Sequence, residues 1–237
     1  MTGVSHEISD SWVHPPEDSD QYDEEDEDDK VVSTCRGFIV RMASLLGPEN
    51  FLHRFQNTLL TLFENDDWRF KAGVLVTVSQ VGLDLQNLNA LSFVNTFIAK
   101  GASHGHPKVR HSAADALDQL SRDLRPKYQE AYFDSMFPII ANALGDPVGR
   151  VASRWLGCLA DFLEDCGHEK VEPHMDHLMH HIAHHIQHGA TPAKHDALQA
   201  LSVMGSLPGC FDEESLKKPM EIFRMLFLTF HENPAFS

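Results

Sequence analysis

Asp67-Trp68-Arg69-Phe70-Lys71-Ala72-Gly73 returns in altered form about 40 residues later as His106-Pro107-Lys108-Val109-Arg110-His111-Ser112, and again as Asp146-Pro147-Val148-Gly149-Arg150-Val151. Each phrase is a turn, then a small or basic cluster, then the start of an apolar helix. Recurrence at that period is the mark of two-helix repeats stacked into a solenoid. Each unit of such a stack touches only its neighbours, so the chain works through an extended surface, not an enclosed pocket.

Working outward, the apolar pattern predicts helices over 31–46, 48–64, 67–83, 88–101, 107–123, 126–144, 148–166, 170–188, 192–206 and 213–231. The breaks carry Gly47-Pro48, Asn65-Asp66-Asp67, Gly105-His106-Pro107, Gly145-Asp146-Pro147, Thr191-Pro192 and Pro208-Gly209. Proline fits a first helical turn and glycine ends the turn before it. No stretch alternates with period two, so no sheet is expected.

The second helix of each pair has two faces. In 107–124, Val109, Ala113, Ala116, Leu117, Leu120 and Leu124 share one side, with His111, Asp115, Asp118 and Arg122 on the other. In the next such helix Val151, Trp155, Leu159, Phe162, Leu163 and Cys166 form the apolar side. Arg150, Arg154, Gly157, Asp161 and Asp165 form its polar side. One polar stripe per repeat, in register, makes a ladder.

Composition bounds the partners. Hydrophobic residues are 42% of the 237, enough for a continuous core. The 35 acidic against 19 basic residues give a formal net charge of -16, which repels nucleic acid and anionic membrane and favours basic partners. Cys35, Cys158, Cys166 and Cys210 lack paired spacing and read as reduced core thiols. No apolar run reaches the length of about 18 residues that a span needs, and no export signal opens the chain, so a soluble, unexported chain is expected.

Residues 1–30 hold little apolar periodicity and end in an acidic run containing Asp23, Glu24, Glu25, Asp26, Glu27, Asp28 and Asp29. Such charge density predicts a disordered acidic loop or tail. About four and a half repeats are expected over 31–231, with second helices starting near 31, 67, 107, 147 and 192, and a short tail over 232–237.

Three phrases, Asn65 to Gly73, Gly105 to Ala114 and Phe162-Leu163-Glu164-Asp165-Cys166, together with the acidic run ahead of Asp67-Trp68, resemble the importin-β (karyopherin-β) HEAT-repeat transport receptors. The likeness is greatest to the importin-five, or karyopherin-beta-three, branch. It covers roughly residues 15–206, in the order and spacing of that family. Family members are several times longer, so the chain is expected to be a central fragment of a longer receptor. The resemblance implies an all-α HEAT-repeat α-solenoid, a right-handed superhelical stack of antiparallel helix pairs. It further implies basic nuclear localisation signals bound on the concave side and phenylalanine-glycine nucleoporins on the outside. Cargo release by Ran-GTP in the full-length protein, and residence in cytoplasm, nucleus and nuclear pore, follow from the same likeness.

The expected cargo ladder is Ser79, Gln80, Asp115, Asp118, Gln119, Asp161, Glu164 and Asp165, since carboxylates suit lysine and arginine while amides hold peptide backbone. The alternative for each is an ordinary solvated residue. Outer grooves near Phe133, Met136, Phe137 and Ile140 are the expected place for phenylalanine-glycine peptides. Trp155 is expected in the core, and Trp68, at a turn, could serve core or ligand. His174, His177, His181, His184 and His188, with His180 and His185 alongside, read as a pH-sensitive exposed face sooner than as a zinc site.

No cofactor is expected and no catalytic constellation assembles: there is no phosphate-binding glycine loop, no nucleophile elbow and no paired Cys and His. The rival reading is a non-transport HEAT scaffold, such as a phosphatase regulatory subunit or an assembly factor, which would hold a folded partner.

Overall fold

A computed structural model describes residues 12, 27–82, 85, 87–207, 220 and 224. Nine helices longer than one turn run through the described residues: α1 Glu27–Leu46, α2 Pro48–Glu64, α3 Trp68–Ser79, α4 Ser92–Ala102 and α5 Pro107–Asp123, followed by α6 Lys127–Ala143, α7 Gly149–Leu163, α8 Met175–His188 and α9 Thr191–Ser206. No strand occurs among the described residues.

Local chemistry places the boundaries. Pro48, Pro107 and Pro192 occupy first turns, where a missing N–H is not missed. Asp67 caps α3: its carboxylate accepts from the Arg69 backbone N–H at 3.0 Å and from the Arg69 guanidinium. Asp146 accepts from the Val148 backbone N–H at 2.9 Å, turning the chain into α7.

The helices form two rows. α1, α3, α5, α7 and α9 make one row, with its closest packing between α3 and α5, α5 and α7, and α7 and α9; α2, α4, α6 and α8 pack outside it, each against its own pair partner. We call these rows B and A. The apolar side expected for α5 is buried throughout, as is that of α7, including Trp155, and the two join one core running from Ala43 to Leu207. Burying each large apolar side chain there contributes roughly 1.5 to 3 kcal/mol. Gly101 lets α4 approach closely: a Cβ there would stand 3.0 Å from Leu75 Cδ1 and 3.1 Å from Ala113 Cβ.

Several sequence expectations need correction. α1 begins at Glu27, so Glu27, Asp28 and Asp29 lie in its first turn and not in a loop, where acidic residues suit the positive end of the helix dipole. Asp23, Glu24, Glu25 and Asp26 fall outside the described residues, as do 232–237 and, apart from helical Met220 and Arg224, the expected helix 213–231. α3 stops at Ser79, whose hydroxyl donates to the Val76 carbonyl at 2.8 Å while the Gln80 N–H tightens the turn onto Thr77. The expected helix 170–188 is interrupted: Pro173 sits in a 3-10 turn, Glu172–His174, ahead of α8. Phe133, Met136, Phe137 and Ile140 are core residues, with the Phe133 ring stacked on Phe137 at 4.7 Å and 6.1 Å from Phe162, and so do not line an outer groove. Cys158 and Cys166 are buried free thiols, whereas Cys35 is exposed.

The exposed large apolar side chains include Phe38 (59%) and Leu45 (84%) on α1. α1 is the first B helix described, and apolar side chains are expected wherever a solenoid end lacks a neighbour.

Candidate binding face of the B helices

The polar stripes of α3, α5 and α7 come into register because the repeat period returns the chain to the same helix face. The consequence is an ionic lattice between repeats. Arg154 of α7 reaches back to both Asp115 and Asp118 of α5. Arg122 of α5 reaches forward to Asp161 of α7 at 3.3 Å, and Arg125 to Glu164 at 2.5 Å. On the next step Ser153 donates to Asp196 of α9 at 2.5 Å.

Burial and partners decide what each carboxylate does. Burial works to raise the Asp115 pKa, but the charges and hydrogen bonds of His111 and Arg154 outweigh it and hold the group well below the carboxylate range. Asp161 goes the other way, pushed up to about 7 by burial and by a hydrogen bond and charge repulsion from Asp118, against the pull of Arg122. Asp118 is fully buried, with Arg122 of its own helix and Arg154 of α7 both on its Oδ2, while its Oδ1 has no hydrogen-bond partner among the described residues. A protonated Asp161 can donate to the Asp118 carboxylate, which links α7 back to α5.

Those contacts revise the ladder residue by residue. Asp118 and Ser79 are buried and do not face solvent. Asp115, Asp161 and Glu164 are engaged by arginines of a neighbouring repeat. Gln80 donates to the Ser79 hydroxyl at 2.7 Å, and Gln119 donates to Asp123 at 2.8 Å while accepting from Arg122 at 3.2 Å. Asp165 is exposed, with no ion pair among the described residues. The omitted signal was the basic half of the stripe: Arg122, Arg125 and Arg154 each bind an acid 36 to 39 residues away, one repeat apart, and Arg122 also binds Asp118 on its own helix.

Past the amino-terminal ends of the B helices the face turns aromatic and basic. Trp68 is half-buried and stacks on His106 at 3.9 Å with an 11° tilt, and Lys108 lies 6.0 Å from its ring. Burial, then the neighbouring His104 and Lys108 charges, depress the His106 pKa to about 4, so this ring is neutral near pH 7.

The histidine-rich α8 is not a uniform polar face. His185 is buried and bonds the Leu144 carbonyl at 2.8 Å, and His177 bonds the Ala141 carbonyl at 3.1 Å, so both close the carboxyl end of α6. His180, His184 and His188 are exposed. No group of three or more metal-ligating side chains occurs among the described residues. No described helix is long and apolar enough to cross a membrane.

A stack of helix pairs in two rows, with a charged and amide face on one of them, is a HEAT-repeat α-solenoid. No protein-family model matches the chain. It is 23% identical over 184 residues to importin subunit beta-3 of Saccharomyces cerevisiae, a match covering 76% of this chain and 16% of that protein. Among solved structures it superposes on the karyopherin Kap121p bound to the extreme C-terminus of the protein phosphatase Cdc14p, with a TM-score of 0.82 and 19% identity over 98% of this chain and 22% of that one. Kap121p bound to RanGTP matches with a TM-score of 0.78 and 19% identity, over 92% and 21%. The resemblance to an importin-β segment of the importin-five branch therefore stands in both sequence and fold. The chain spans about one fifth of the length of these relatives.

Proposed function

We propose that the chain is the central part of a nuclear import receptor, and that its B-helix face takes up basic, extended segments of cargo such as nuclear localisation signals. The observation that carries this reading is the exposed acidic pair just past the carboxyl end of α7, Glu164 and Asp165, one repeat on from Arg125 in a chain of net charge -16. Arg122 and Arg125 are about half exposed, and exposed ion pairs contribute about 0 to 1 kcal/mol. An incoming lysine can therefore replace Arg125 on Glu164 at little cost. The arginines keep the acids oriented until a ligand arrives.

The relatives carry names of importins and karyopherins, which are carriers and not enzymes, and one solved relative holds RanGTP. By that likeness, displacement by Ran-GTP belongs to the full-length protein, working through a curvature that favours one ligand over the other. Movement between cytoplasm and nucleus belongs to the same reading. Contact with phenylalanine-glycine nucleoporins is proposed for the A-helix side, through residues other than the buried Phe133, Met136, Phe137 and Ile140.

The test is the affinity of the purified chain for a lysine-rich localisation peptide at low and high salt, with Glu164→Lys/Asp165→Lys as control. Binding that survives moderate salt and is lost in the variant supports the import reading. Equal loss with salt in both proteins leaves a non-specific acidic surface, and a HEAT scaffold for a folded partner becomes the better account.

A further inference from the structure

Of residues 1–26 the structure describes Trp12, and it describes it in contact. Arg150 lies 5.1 Å from the Trp12 ring centroid, Lys108 lies 5.5 Å from it, and His111 meets it edge-on at 5.8 Å. Lys108 and His111 come from α5 and Arg150 from α7, so one ring spans two repeats. Lys108 and Arg150 are each the second residue of their helix. Cations there face the positive end of the helix dipole, an unfavourable placement by itself. An aromatic face set against them supplies favourable cation–π contact.

The sequence after Trp12 has the complementary charge. Glu17, Asp18, Asp20, Asp23, Glu24, Glu25 and Asp26 all follow within 14 residues. Glu17 is five residues from Trp12, so their Cα atoms are at most about 18 Å apart. The connection is also long enough. The residues from Trp12 to Glu27, where α1 begins, reach about 50 Å when extended. Two to three helix-to-helix steps along the B row, from α1 to α5 and α7, are about 20 to 30 Å.

We propose that the acidic amino-terminal segment docks in cis across the amino-terminal ends of α5 and α7, with Trp12 as its anchor in a site walled by Lys108, His111 and Arg150. The site selects an aromatic residue followed by carboxylates, which is the opposite charge preference to the acidic edge at Glu164 and Asp165. It stands whether or not the chain carries cargo.

The experiment is fluorine NMR of the whole chain labelled with 5-fluorotryptophan, whose three tryptophans give three signals assigned with Trp12→Phe. The Trp12 signal should be displaced from that of a free peptide of residues 5–26, and should move towards it in Lys108→Glu/Arg150→Glu. Salt of about 1 M, where the Debye length is about 3 Å, should move it the same way in the unaltered chain. The labelled peptide, added to the Trp12→Ala chain, should shift towards the docked position, and its Trp12→Ala counterpart should not bind. A Trp12 signal at the free-peptide position in the unaltered chain overturns the proposal, even where the double variant fails to fold. So does a displaced signal that the folded double variant leaves unmoved.

Discussion

Arg110 and Asp146, 36 residues apart, form a two-pronged ion pair, with Arg110 Nε 2.5 Å from Asp146 Oδ2 and Nη2 2.9 Å from Oδ1. The same guanidinium donates to the His104 and Gly105 carbonyls, and Asp146 also accepts from the Val148 N–H. One arginine therefore fixes its own inter-helix turn and the turn of the next repeat. Little of either side chain meets solvent. Arg110→Ala leaves the Asp146 charge without its counter-ion and removes a donor from two carbonyls, and should cost about 3 kcal/mol of unfolding free energy by urea titration. Arg110→Lys, which cannot make the two-pronged contact, should recover less than half of that.

Arg154 bridges Asp115 and fully buried Asp118. Arg154→Met should destabilise by about 3 kcal/mol, because buried Asp118 then keeps only the half-exposed Arg122 and Asp115 only His111. Arg154→Met/Asp118→Leu should regain a large part of the loss, since a matched apolar pair leaves less buried charge. Equal loss in the single and double variants, by chemical denaturation, would count against the lattice as the cause.

Asp161 gives the pH dependence. Its folded pKa of about 7 lies above the ordinary value of 3.8, so from about pH 4 to 7 the folded chain holds a proton that the unfolded chain has lost. That stabilising term is complete below pH 4 and declines as pH rises through 7. Asp161→Asn cannot lose a proton, so its stability relative to the unaltered chain should improve by about 1 kcal/mol between about pH 5 and pH 8; water around the pair screens it and keeps the figure small. Urea titrations at both pH values read it directly.

The architecture was legible because the turn and the apolar stripe repeat together: the Asp67, Pro107 and Pro147 phrases each precede a B helix, and every apolar residue assigned to α5 and α7 is buried. The ladder was less legible, because a helical face shows which residues share a stripe and not what reaches them from the next repeat. Asp115 and Asp118 already pair with His111 and Arg122 on their own helix, and Arg154, 36 to 39 residues on, closes over both. Asp118 is buried for the same reason: the neighbouring B helix packs across the edge of the stripe that holds it. Phe133 and Phe137 misled in the reverse sense, since an A helix in a double row buries the face that a lone amphipathic helix would offer outward.

Among the histidines of α8, position and not composition decides importance. His185 Nε2 is bonded to the carbonyl of Leu144, one of the last carbonyls of α6, which have no acceptor role left within their own helix. Replacing this buried ring by leucine leaves that carbonyl without a partner, so His185→Leu should cost about 1 to 3 kcal/mol in thermal or urea unfolding. His184, one residue away, points to solvent, and His184→Leu should change stability by less than about 0.5 kcal/mol. If instead the histidines acted together as one titrating face, the two variants would behave alike, and each would alter stability in proportion to the charge removed.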